Sequence, residues 1–199
     1  NYTPFVPPFK GTQVQRVELI KLIPLINWRI FLNLWKLNAR FASVFTLHDC
    51  PSCRAKWLLE IPESDRPKAK EALQLYIDTQ QLLNEGIRNN ATVDLLIGFF
   101  DAVGTEDSII LKDSNGESVV LPTPRQQVEK QEGRPKEYLS LCDFIAPEKD
   151  CVGIFATSIG QVWRNMMEKE TDDYRKLLMQ ALADRLAEAG AEYMQAVTI

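Results

Sequence analysis

With 199 residues, 45% of them apolar and 25% charged, the chain is long enough to bury a core and has an ordinary globular composition. A formal net charge of −4 gives no basis for nucleic-acid binding. The most apolar stretch, Leu19 to Leu37, is broken by Lys21, Pro24, Asn27, Arg29, Asn33 and Lys36, short of the roughly 18 apolar residues of a membrane helix.

The elements follow in chain order. Residues 1–13 (NYTPFVPPFKG and on) read as an extended arm held against the body, because free tails seldom carry Tyr and two Phe. Val14 to Ile20 suits a short strand or a helical turn. After Pro24, the apolar positions of Leu25 to Leu37 cover most of a helical surface and predict a buried helix, with Trp28, Phe31 and Trp35 in the core. Residues 39–67 read as an irregular insertion holding a CxxC pair, Cys50 and Cys53. Pro67 then opens a helix to about Ile87, with a stripe at Ala69, Ala72, Leu73, Tyr76, Ile77, Gln80, Leu83 and Ile87.

The middle is β. Asp94 to Val103, Ser108 to Asp113 and Ser118 to Thr123 are short apolar runs, and Asn115-Gly116 marks a hairpin between the last two. A polar segment leads to LCDFIAP (Leu141 to Pro147) and a fourth strand, Cys151 to Gly160. Helices over about Val162 to Glu170 and Asp172 to Ala196 end the chain. Hairpin-linked strands flanked by helices imply an α+β fold in a single domain, 1–199.

Several segments carry a family resemblance. DDYRKLLMQALADRLAEAGAEYM (Asp172 to Met194) and LCDFIAP followed by CVGIFATSIG lead. PRQQ (Pro124 to Gln127), INWRIFLNLWKL (Ile26 to Leu37) and the YTP of Tyr2 to Pro4 complete the order. Good helix formers alone would make ALADRLAEA weak, but ordered segments over most of the chain are specific. The chain thus resembles the reactivation, or activation, domain of cobalamin-dependent methionine synthase. That resemblance implies a twisted antiparallel sheet with helices packed around it. It implies S-adenosylmethionine-linked reductive methylation of cob(II)alamin, in a methionine synthase or a related corrinoid methyltransferase of methionine biosynthesis. The cobalamin (vitamin B12) is carried by a partner domain, and a flavodoxin-type partner donates the electron. Neither nucleic acid nor membrane is an implied partner, and the location is cytoplasmic.

The resemblance also assigns residues. Asp184, Arg185 and Glu188 match helix positions that face the corrinoid domain. Lys176, Gln180, Asp184, Glu188 and Glu192 recur every four residues, so they form one polar ridge opposite Tyr174, Leu177, Leu178, Ala181, Leu182 and Leu186. Asp184 and Glu188 are like charges one turn apart, costing the isolated helix about 0.2–0.5 kcal/mol. The plainer reading is a solvated face on which Arg185 partly neutralises Glu188. Asn27 occupies the place of a family aspartate that holds the amino group of S-adenosylmethionine; it keeps an acceptor but lacks the charge that strengthens such a bond. The plainer reading of Asn27 is a cap beside Trp28. The family's RPAPGYP segment does not occur in these 199 residues, so the S-adenosylmethionine site is incomplete in this chain. A corrinoid-docking module that has lost S-adenosylmethionine binding is therefore the alternative.

Outside the resemblance stands His48 with Cys50-Pro51-Ser52-Cys53. CxxC spacing lets two thiolates reach one zinc or form a redox disulfide, and a small zinc or thiol-redox protein is the remaining reading. One CxxC without a second pair favours plain reduced thiols, so no metal site is expected, with His48, Cys50 and Cys53 as the weak candidates. Four cysteines and no export signal point the same way. Cys142 and Cys151 read as small hydrophobes beside the DFIAP turn. His48 is the only histidine, and no catalytic acid–base residue is assigned.

Overall fold

The computed structural model describes residues 5–48, 50–113, 115–129, 133 and 137–198. Tyr2 to Pro4, part of the expected arm, lie outside them. Five strands form one sheet: β1 (Gly11–Glu18), β2 (Thr92–Gly104), β3 (Ser108–Lys112), β4 (Ser118–Pro122) and β5 (Asp150–Ile159). Their order is β1-β2-β3-β4, with β5 also paired to β2. β2 and β3 run antiparallel, Asp101 opposite Lys112 and Gly104 opposite Ile109. β3 and β4 form the hairpin foreseen at Asn115-Gly116, where Gly116 takes a φ of +83° and Asp113 accepts from the amides of Asn115 and Glu117.

Among the described residues, six α-helices accompany the sheet: α1 (Leu19–Leu22), α2 (Trp28–Leu34), α3 (Pro51–Glu60), α4 (Arg66–Arg88), α5 (Gln161–Lys169) and α6 (Asp173–Thr198). The chain divides into two compact units. One holds Leu96–Ala156 with the chain up to Val14; the other holds Gln15–Leu95 with the chain from Thr157 onward.

In the first unit, Ala102, Ile109, Leu111 and Cys142 form a buried cluster against Phe100, Leu121, Ile145 and Val152. Its long loop is tied down by one bidentate ion pair: Arg125 donates from its two terminal nitrogens to Asp143, at 2.8 and 2.9 Å. The same guanidinium donates to the carbonyls of Tyr138 and Glu106. Two segments that carry the family resemblance, PRQQ and LCDFIAP, are thus joined by this contact. Arg125 holds the Asp143 carboxyl below the ordinary carboxylate range, helped by the Ser140 amide.

In the second unit the core is Leu19, Leu22, Phe31, Leu32, Leu82, Leu83, Trp163, Leu178, Met179, Leu182 and Leu186, all fully buried. α6 lies against the start of β2, since Gly190 leaves room for Val93 and Leu95 and no Cβ would fit there.

Three expectations change. The predicted helix over Leu25 to Leu37 is only seven residues long, because Asn27 caps it in a non-helical conformation and Lys36, at a φ of 54°, ends it. Leu37 and Lys36 donate back to the carbonyls of Leu32 and Asn33, a Schellman stop built on lysine rather than glycine. Such a short helix buries one face, so Phe31 is core while Trp28 and Trp35 are half-buried and Ile30 and Leu34 are exposed. On α6, Tyr174 and Leu177 are exposed rather than buried. Within 39–67, read as irregular, lie α3 and the 3-10 turns Ala39–Thr46 and Glu63–Asp65. Pro51 at the first turn of α3 and Cys50 as its cap are the reason.

Gly86 on α4 is a close-approach site. A Cβ there would stand 2.6 Å from the buried ring of Trp163 and 2.9 Å from Leu19. Gly86→Val is expected to lower unfolding stability by about 1–3 kcal/mol in urea denaturation, through overpacking.

Candidate functional site

The residues singled out on α6 owe their direction to the helix's buried stripe. Leu178, Leu182 and Leu186 are wholly buried at four-residue spacing. Lys176, Gln180, Asp184, Glu188 and Glu192 are all exposed, so the predicted ridge faces outward. Arg185 lies lower: its side chain is only 11% exposed, and it donates to Glu188 at 2.6 Å. Its Nε is buried without a partner among the described residues. Glu188 is therefore partly neutralised, whereas Asp184 makes no ion pair among the described residues.

Asp184 does not stand on a plain polar surface. It forms one wall of a groove of about 310 Å3 with Gln180, Ala181 and Leu177 of α6 and Leu34 and Trp35 at the end of α2. Leu34 and Leu177 are each 54% exposed. Trp35 is also a wall of a second groove, of about 400 Å3, shared with Leu37, Glu71, Gln74, Leu75, Asp78 and Tyr174. There the Tyr174 ring meets Trp35 edge-on at 5.6 Å, and its hydroxyl donates to Asp78 at 2.7 Å. Burial, then the Asp78 carboxylate, raises the Tyr174 hydroxyl pKa, so the phenol stays protonated and keeps its proton to donate. Trp35 Nε1 is buried with no partner among the described residues. Next along α6, Arg175 donates to Glu170 at 2.8 Å and Glu85 at 3.0 Å, and this lowers the Glu170 pKa.

Asn27 is exposed at the opposite end of α2, outside both grooves, and about 10 Å of helix separates it from Trp35. Its Oδ1 accepts from the Ile30 amide at 3.2 Å, which is the capping role. The groove residues Leu34, Trp35 and Leu177 were missed as surface positions. No residue in the sequence signalled them: the stop of α2 falls on Lys36, at a φ of 54°, a position where glycine or asparagine is the usual mark.

Among the described residues a further cluster is His48, Cys50 and Cys53, whose ligand atoms lie within 4.8 Å of one another. Cys50 caps α3, accepting from the Cys53 amide at 3.1 Å with the Ser52 hydroxyl also 3.1 Å away. Hydrogen bonds from the Cys53 thiol, Ser52 and His48 pull the Cys50 pKa down to about 6, while the same contact pushes Cys53 up. Cys142 is buried in the first unit's cluster, and burial pushes the half-buried Cys151 thiol up.

This antiparallel sheet with packed helices is the fold of a known class of α+β domain. The solved structure "Crystal Structure of the MetH Reactivation Domain bound to AdoHcy" superposes with a TM-score of 0.75 at 28% identity. The match covers 99% of this chain and 57% of that one, so this chain spans little more than half of that domain's length. The sequence profile of the family described as "Vitamin B12 dependent methionine synthase, activation domain" matches residues 18–198. The chain belongs to that family. Among the described residues, no helix is long and apolar enough to cross a membrane.

Asn27→Ala removes the cap of α2 and is expected to cost about 1 kcal/mol of unfolding stability by thermal or urea denaturation. Asn27→Asp, which keeps the acceptor, is expected to leave stability unchanged.

Proposed function

We propose that this chain acts as an activation module that docks on a cobalamin-binding domain through the face shared by α2 and α6 and presents S-adenosylmethionine to it. The reaction is reductive methylation. With one electron supplied by a flavodoxin-type donor, the partner domain's cob(II)alamin would accept the methyl group as the S–CH3 bond of S-adenosylmethionine breaks, the bond's electron pair staying on the departing sulfur. Methylcobalamin and S-adenosylhomocysteine are the products. The similar domain was crystallised with AdoHcy, the molecule this transfer leaves behind.

One observation carries the docking reading. Asp184 and the exposed Leu34 and Leu177 border one groove, so a carboxylate with no ion pair among the described residues stands inside an apolar rim. Apolar area supplies contact energy, and a carboxylate at its edge supplies an acceptor for an imidazole or amide of the partner. Arg185 and Glu188 serve as the flanking pair. The protein's task is positioning; none of these side chains has to transfer a proton.

The second reading, docking without S-adenosylmethionine, is favoured by Asn27. Its acceptor is engaged with Ile30 and it carries no charge for an ammonium. Calorimetric titration of S-adenosylmethionine, with the chain alone and with a cobalamin-binding domain present, separates the two. The activation reading predicts binding that Asn27→Asp strengthens by about tenfold, since a charge-assisted bond to the ammonium is roughly twice as strong as a neutral one. No heat under either condition would remove the cofactor and leave docking alone.

A further inference from the structure

We propose that His48, Cys50 and Cys53 form a zinc site with one coordination position open to solvent, a site independent of the docking reading above.

The local fold assembles the donors. The Cys50 amide donates to the His48 carbonyl at 2.8 Å, which keeps the two residues close. Pro51 then starts α3, and Cys50 and Cys53 stand three residues apart, which puts both sulfurs on one side of its first turn. Ligand atoms within 4.8 Å of one another are within about 1 Å of what one ion needs, because two sulfurs sharing a tetrahedral zinc at about 2.3 Å each stand about 3.8 Å apart. A small side-chain rotation closes the difference.

The donor set selects the ion. One imidazole and two thiols, the donor set among the described residues, suit zinc rather than calcium, magnesium or manganese. The Cys53 amide and the Ser52 hydroxyl, both 3.1 Å from Cys50 Sγ, are the hydrogen-bond donors a metal-bound thiolate takes from its surroundings. Both cysteines are free rather than bridged. His48 is exposed and the cysteines are half-buried, so the fourth position faces water. The ion ties the turn before α3 to that helix's first turn, and binding releases the thiol protons to solvent.

Anaerobic titration of the reduced chain with Co(II), followed by displacement with zinc, tests this. One thiolate-to-cobalt charge-transfer band is expected, saturating at one ion per chain and erased by zinc. Cys50→Ser and Cys53→Ser should abolish it. His48→Ala should weaken binding by more than about tenfold, the loss typical of even an outer partner. Cys151→Ser should leave the band unchanged, and circular dichroism of each variant shows that the fold is kept. Absence of the band, its survival in Cys50→Ser, or formation of a Cys50–Cys53 disulfide in the presence of zinc would overturn the proposal.

Discussion

The rest of the second unit depends on the burial of Leu178, Leu182 and Leu186 along one line of α6. Each fully buried leucine is worth about 1.5–3 kcal/mol relative to exposure, so turning the helix about its axis would forfeit more than any surface contact could return. That constraint sets the direction of every other α6 side chain. It sends the polar ridge outward, half-buries Arg185 beneath Glu188, and leaves Leu177 and Ala181 on the flank where α2 ends.

α2 supplies the other wall under constraints of its own. Asn27 and Lys36 define a helix of two turns, too short to bury the apolar residues on all its sides. Phe31 and Leu32 take the core side, while Trp28 stacks on Phe45 at 4.1 Å. Ile30 and Leu34 remain in water, a cost that a docking surface would recover on binding. The groove is therefore a product of two opposed demands: α6 must hold its leucines inside, and α2 has no room to do the same.

Most elements were legible because their signals are local. Asn115-Gly116 marked its hairpin, Pro67 the start of α4, and the ridge from Lys176 to Glu192 came out exposed as its period required. What failed depended on facts that periodicity does not encode. A stretch apolar on every side, like Leu25 to Leu37, gives no phase, so its length and exposed face were misjudged. Tyr174 and Leu177 sit at the edge of the apolar arc of α6, where only the neighbouring helix decides burial. α3 escaped notice because its cap is a cysteine, a residue type outside the usual Ser, Thr, Asp and Asn set. The tie between PRQQ and LCDFIAP needed Arg125 to meet Asp143, 18 residues away, which spacing alone does not reveal.

Amide hydrogen exchange on this chain, with and without a cobalamin-binding domain of a B12-dependent methionine synthase, addresses the central claim most directly. Added protection is expected to be confined to α2 and to the Leu177–Glu188 stretch of α6, and to be lost when Leu177→Asp and Asp184→Lys are combined. A partner that bound with protection elsewhere, or that bound the double variant undiminished, would contradict it.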